Sequence, residues 1–218
     1  MTAPLLAPEQ RSKLDPTDDS LFYEYPRFVY HVDDRFVNRL TNLYADRLQP
    51  HTRILDLMSS WVSHLPETMP FAHVEGHGLN EAELARNPRL DHYFVQNLNQ
   101  NQTLPLPDNS FDAVLNAVGV QYLQYPEAIF QEIHRILKPQ GIAIISFSNR
   151  MFYQKAIQAW RDGTEASRVR LVISYFAGVT GGFSQPEVIQ VPAPPNPLAV
   201  LGFPSVDPFY AVIAHKLG

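Results

Sequence analysis

Five short apolar runs, separated by stretches with helical spacing, constrain this chain more than any other feature. They are Arg53–Leu57, Ala72–Gly78, His92–Asn97, Phe111–Val118 and Ile142–Phe147. Strands that alternate with helices pair in parallel, because the returning helix carries the chain back over the sheet. Ile142-Ala-Ile-Ile-Ser-Phe is apolar nearly throughout, as a central strand covered on both faces should be. Between the runs, Phe36, Val37, Leu40, Leu43, Tyr44 and Leu48 repeat at three and four residues, which predicts a helix over 32–48 with Asp33 and Asp34 at its start. Residues 60–68 are expected to form a short helix. Asn80 with Glu83 three residues on reads as a variant capping box opening a helix at Ala82–Asn87. Tyr125–Leu137 carries Pro126 in its first turn and an apolar face of Ile129, Phe130, Ile133, Ile136 and Leu137. Lys138-Pro-Gln-Gly is a turn, and helices follow at 151–161 and 165–177, the second stopped by Gly178, Gly181 and Gly182. Val188–Val191 and Phe209–His215 have no helix between them and should pair antiparallel at the sheet edge. The expected fold is α/β: a doubly wound, mostly parallel, seven-stranded Rossmann-like sheet with an antiparallel terminal hairpin.

Composition removes several functional classes. The 218 residues include no cysteine, which excludes disulfides, thiolate metal sites and a cysteine nucleophile. Seventeen basic against 22 acidic side chains leave no footprint for a phosphate backbone, and 171–215 holds no Lys or Arg, so nucleic acid is not an expected partner. The N-terminus lacks a basic region followed by an apolar core, and no run of about 18 apolar residues occurs, so neither a secretory signal nor a membrane span is expected. The expected compartment is cytoplasmic. Residues 1–49 read as an N-terminal arm and cover helix, and 50–218 as the main domain. Within the first part, 1–20 reads as a loose arm with one helical turn. The aromatic stretch Leu21–Tyr30 either packs on the main domain or forms a lid over a ligand pocket. The Pro-rich segment Pro192–Pro208 reads as a rigid loop capping the sheet edge.

Two motifs carry a resemblance. Leu104-Pro-Leu-Pro-Asp-Asn-Ser-Phe-Asp-Ala-Val enters the fourth strand, and Leu137-Lys-Pro-Gln-Gly-Ile-Ala-Ile-Ile-Ser leads into the fifth. Together they resemble the class I S-adenosylmethionine-dependent methyltransferases, type 11-like, over residues 50–150. The resemblance implies the terminal hairpin as well, and S-adenosylmethionine as cofactor. Open parallel sheets take ligands at the carboxyl ends of their strands, so loops 56–64, 77–81, 96–99 and 116–122 should line the site.

The same comparison marks departures. The family's first loop reads acid-x-Gly-x-Gly-x-Gly, and here Asp56 is followed by Met58, Ser60 and Val62 at the three glycine positions. Positive φ is strained for such residues. The ribose-binding acid that the family places after the second strand is Gly78 here. By resemblance, cofactor contacts are expected from Asp56, Met58, Ser59, Asn80, Asn97 and Leu98. Asp56 would order the first loop and meet the methionine end, Asn80 would serve the ribose, and Asn97 with the Leu98 amide would serve the adenine. The leading reading is methyl transfer to a small, partly apolar acceptor. The other is a methyltransferase-like binding or assembly protein that has lost cofactor binding. Asp207-Pro-Phe-Tyr210 resembles an amino-methyltransferase motif but stands at the wrong strand, so it reads as a turn into an edge strand. No histidine pair has metal-ligand spacing, so no metal is expected; His64, His73, His77 and His92 read as surface or packing residues near the site. The sequence names no methyl acceptor, no catalytic base and no oligomeric state.

Overall fold

The computed structural model describes residues 5–195 and 206–218. Its seven strands are β1 (Arg53–Leu57), β2 (His73–Gly78), β3 (His92–Val95), β4 (Phe111–Ala117), β5 (Leu137–Phe147), β6 (Glu187–Val191) and β7 (Phe209–His215). They form one sheet in the order β3-β2-β1-β4-β5-β7-β6. The first five are parallel, and β7 pairs antiparallel with both β5 and β6. The chain therefore winds outward in both directions from β1 and β4, and the order reverses between them.

Alternation along the strands feeds two cores. Leu55, Leu57, Val114, Ala143 and Ile145 point to one face. There they meet α4 (Pro126–Ile136), α6 (Glu165–Ala177) and Trp160 of the short α5 (Gln158–Arg161). Ile54, Ala113, Leu115, Ile142 and Ile144 point to the other. There Phe36, Leu40, Leu43 and Tyr44 of α2 (Asp34–Arg47) cover them. Burying each Leu or Phe of that stripe contributes roughly 1.5–3 kcal/mol. Asp33 starts α2 by accepting the Phe36 N–H at 2.8 Å. It also exchanges backbone–carboxylate bonds with Asp207, both at 2.8 Å. Asp207 is thus a latch between α2 and the start of β7, in keeping with the turn reading of its motif.

Four expectations need correction. Residues 60–68 are not helical: Pro66 removes a backbone donor and forces its predecessor out of the helical region, and His64 has φ +52°. Residues 151–157 form turns, with the Phe152 N–H donating to the Tyr122 hydroxyl and the Ile157 N–H to the Gln121 carbonyl. Helix resumes only at Gln158. Lys138–Gly141 is an irregular stretch inside β5 rather than a separate turn, with Gln140 at φ +66°. Finally, the N-terminal arm is not loose from residue 5 onward. Leu6 is buried in the core, and Arg11 pairs with Glu127. Lys155, fully buried, is caged by Asp15 and by the carbonyl and hydroxyl of Thr17. Removing one partner of such a pair typically costs about 3–5 kcal/mol. Residues 1–4, and 196–205 of the Pro-rich segment, lie outside the described residues.

Candidate functional site

A cavity of about 290 Å³ opens at the carboxyl ends of β1, β2 and β4, where the strand order reverses. That is the lower end of the roughly 300–1,000 Å³ typical of small-molecule pockets, at the place where open α/β sheets bind ligands. Its floor comes from Asp56–His64, His77–Asn80, Gln96–Asn99 and Ala117–Leu123. All four loops expected from sequence contribute. Residues of the aromatic strap that follows α1 (Asp19–Phe22), and Arg150–Phe152 after β5, close the remaining sides.

The first loop is held by side chains at the positions where the methyltransferases it resembles have glycine. Met58 sits at φ +60°, costing on the order of 1–2 kcal/mol for a non-glycine residue. Three ties offset that strain. The Met58 N–H donates to Nδ1 of His77 at 3.1 Å, and the Ser59 N–H to the His77 carbonyl at 2.6 Å. The Ser59 hydroxyl donates to Asp56 at 2.6 Å. His77 Nε2 lies 2.9 Å from the Gln96 carbonyl, so the ring is a neutral Nε2–H tautomer bridging β2, the first loop and the end of β3. Burial pushes its pKa down to about 4. His77 is thus a buried positioning residue, a role its sequence context did not announce. Burial also raises Asp56 to about 6, against the lowering effect of the Ser59 and Ser63 hydroxyls.

Two glycines accept this loop. A Cβ at Gly119 would lie 2.9 Å from Met58 Cβ, and one at Gly78 would lie 2.7 Å from the Ser59 carbonyl oxygen. The missing acid after β2 therefore has a steric cause: the first loop passes through the space its side chain would need. Val118 beside Gly119 has φ +49°, so three non-glycine residues in the left-handed region (Met58, His64, Val118) line one cavity. Strain of this kind concentrates at functional sites.

Of the residues expected to meet a cofactor, all six line the cavity. Their free groups differ from expectation. Asn80 Oδ1 caps α3 (Glu81–Ala85), and its Nδ2 donates to the Tyr23 and Glu24 carbonyls at 2.7 and 3.1 Å. Asn97 donates to Asp18 at 2.9 Å and accepts the Asn99 N–H at 3.0 Å. Both amides are spent on holding the strap and a loop. Glu83, which sequence treated only as a capping partner, lies buried on the cavity wall. Its carboxylate accepts the Ser60 hydroxyl at 2.5 Å and the Arg27 N–H at 2.6 Å. No local pattern announces contacts to residues 23 and 56 positions away.

The strap is a largely exposed segment that lies beside the cavity rather than in the core. Tyr25 is 75% exposed and Tyr30 56%, so the aromatic stretch does not pack on the main domain along its whole length. Tyr23, Arg27, Val29, Tyr30 and His31 nonetheless line the cavity. Trp61 is drawn to this strap: its indole N–H donates to the Val29 carbonyl at 3.2 Å, and its ring lies 5.0 Å from Tyr30.

Residues 70–145 match the family model described as a methyltransferase domain. The chain is 28% identical over 177 residues to a sterol 24-C-methyltransferase, ERG6B, of Gibberella zeae, covering 74% of this chain and 44% of that protein. It spans less than half the length of that and the next two curated relatives. A solved S-adenosylmethionine-dependent methyltransferase from Mesorhizobium loti superposes with a TM-score of 0.51 at 19% identity, over 80% of this chain and 96% of that one. Phosphoethanolamine N-methyltransferase 2 of Haemonchus contortus, solved with S-adenosyl-L-methionine, gives 0.56 at 15% identity, over 83% and 53%. At such identities these structures speak to the fold.

Proposed function

Because the chain carries the class I methyltransferase fold with a type 11-like segment, we propose that it transfers a methyl group from S-adenosylmethionine to a small acceptor with apolar surface. The supporting observation is the roofed cavity at the strand-order reversal, whose four floor loops are those the fold uses for this cofactor. The residues present fit the group. Among the described residues the buried Oε1 of Gln121 has no hydrogen-bond partner, and Gln121 belongs to the cavity wall, where that oxygen is an acceptor for a hydroxyl-bearing ligand. The bound cofactor supplies an electrophilic methyl on a sulfonium; the protein's task is alignment and exclusion of water.

In this reading Asp56 and Ser59 set the first loop against the methionine end. Glu83 stands in for the missing acid of Gly78: a carboxylate has about four lone-pair sites, and two serve Ser60 and Arg27. The Leu98 N–H meets the adenine edge in place of the committed Asn97 amide. The strap and the Tyr122–Phe152 pair, ring centroids 6.1 Å apart, enclose the acceptor. Against the alternative, a binding protein without cofactor, stands the Trp61 indole, whose N–H is held to the strap by the Val29 carbonyl.

Isothermal titration with S-adenosylhomocysteine tests this directly. The wild-type chain should bind in the micromolar range. Glu83→Gln keeps the shape and removes the charge, and should weaken binding at least tenfold; no heat from the wild type at millimolar ligand would defeat the reading.

A further inference from the structure

Arg27 stands out among the charged residues of the cavity wall. Asp19 pairs with Lys13 at 2.6 Å and Lys155 at 3.6 Å. Asp56 takes the Ser59 hydroxyl, Glu83 takes the Ser60 hydroxyl, and Arg150 pairs with Asp207 at 2.6 Å. Among the described residues the Arg27 guanidinium forms no ion pair, and its Nη1 is buried without a hydrogen-bond partner. A buried cationic donor left without a partner is costly.

The group is nevertheless fixed. Nη2 donates to the Phe22 carbonyl at 2.9 Å. The guanidinium carbon lies 4.5 Å from the Phe22 ring centroid, 5.4 Å from Phe152 and 5.6 Å from Tyr23. The backbone N–H of the same residue is tied to Glu83. A planar cation held among rings, belonging to a residue that lines the cavity and keeping one buried donor without an acceptor, is preorganised for an acceptor oxygen. The surrounding rings supply apolar walls: Phe152 packs against Tyr122 and His31, with centroids 6.1 and 5.4 Å away. These residues belong to α1, the strap, the loop after β4 and the turn after β5, apart from the first loop, where the methionine end is placed.

We propose that Arg27 Nη1 anchors a carboxylate of the acceptor, so that the acceptor is an anionic molecule with an apolar body lying against Phe152 and Tyr122. This deepens the methyl-transfer reading and rests on its placement of the cofactor. The carboxylate chemistry is shared with the methionine end of the cofactor, and the test separates the two sources.

The probes are 3-phenylpropanoate and its neutral amide, titrated into the full chain with and without saturating S-adenosylhomocysteine. The carboxylate should bind at least tenfold tighter than the amide. Arg27→Met should abolish that preference, leave amide binding unchanged and change S-adenosylhomocysteine affinity by less than about threefold. Arg27→Lys, which keeps the charge without the planar fork, should retain part of the preference. Equal binding of acid and amide, or binding of neither, by the folded wild type overturns the proposal whatever the variants do. A variant that weakens S-adenosylhomocysteine tenfold while sparing the probe preference assigns Arg27 to the cofactor and also overturns it. If the wild type fails to bind S-adenosylhomocysteine, the methyl-transfer reading falls, and the acid–amide comparison without it still decides the role of Arg27.

Discussion

His77 shows how a loop can be rebuilt without glycine. A ring that accepts from Met58 and faces the Gln96 carbonyl replaces conformational freedom with fixed hydrogen bonds. The cost appears next door, where the Ser59 carbonyl fills the space beside Gly78. Restoring the family's acid by Gly78→Asp should therefore fail. A new Cβ 2.7 Å from a backbone oxygen forces the loop to move, with an expected loss of about 1–3 kcal/mol in urea unfolding and weaker S-adenosylhomocysteine binding by titration. Tighter binding at unchanged stability would refute this account. Sequence shows that Met58, Ser60 and Val62 replace glycines, because that is a matter of residue identity. It does not show the compensation, because His77 and Glu83 act through contacts far away along the chain. A single histidine in a strand carries no spacing to betray such a bridge.

Among the elements, strands and long helices were legible because their apolar periods are strong. The stretches 60–68 and 151–157 were not, since their ends are committed to bonds with distant partners rather than to helical turns. The strap is the element whose role the sequence left open between packing and lid. Its ties are few and specific: Asn80 to the Tyr23 and Glu24 carbonyls, Glu83 to the Arg27 N–H, and Trp61 to the Val29 carbonyl. Asn80→Ala removes the first tie and the cap of α3 together. The cap alone is worth about 1 kcal/mol. Amide hydrogens of residues 21–31 should then exchange at least fivefold faster in mass-spectrometric hydrogen exchange, while those of β4 and β5 stay unchanged. Equal acceleration across the sheet would mean that Asn80 supports global stability instead.

At the scale of the whole molecule, the pH dependence of folding sums the buried groups of the site. His77 and His64 are each held down to about 4 by burial, against 6.5 when unfolded. Between those values the unfolded chain binds more protons, so stability rises with pH through this window. Asp56, raised to about 6 from 3.8, acts oppositely: the native state holds its proton longer, which favours folding at the acid end. Two histidines outweigh one carboxyl, so stability should climb from pH 4 to 6.5 in urea titrations. Asp56→Asn removes the opposing contribution and should steepen that climb; a flatter profile would contradict the balance. The cavity's roof has a further consequence, in time rather than in energy. Where ligand entry and exit require the strap's pins to release, strap opening sets their pace. The observed association rate should then level off at high ligand concentration, at the rate of strap opening, and the same opening would limit how quickly product escapes.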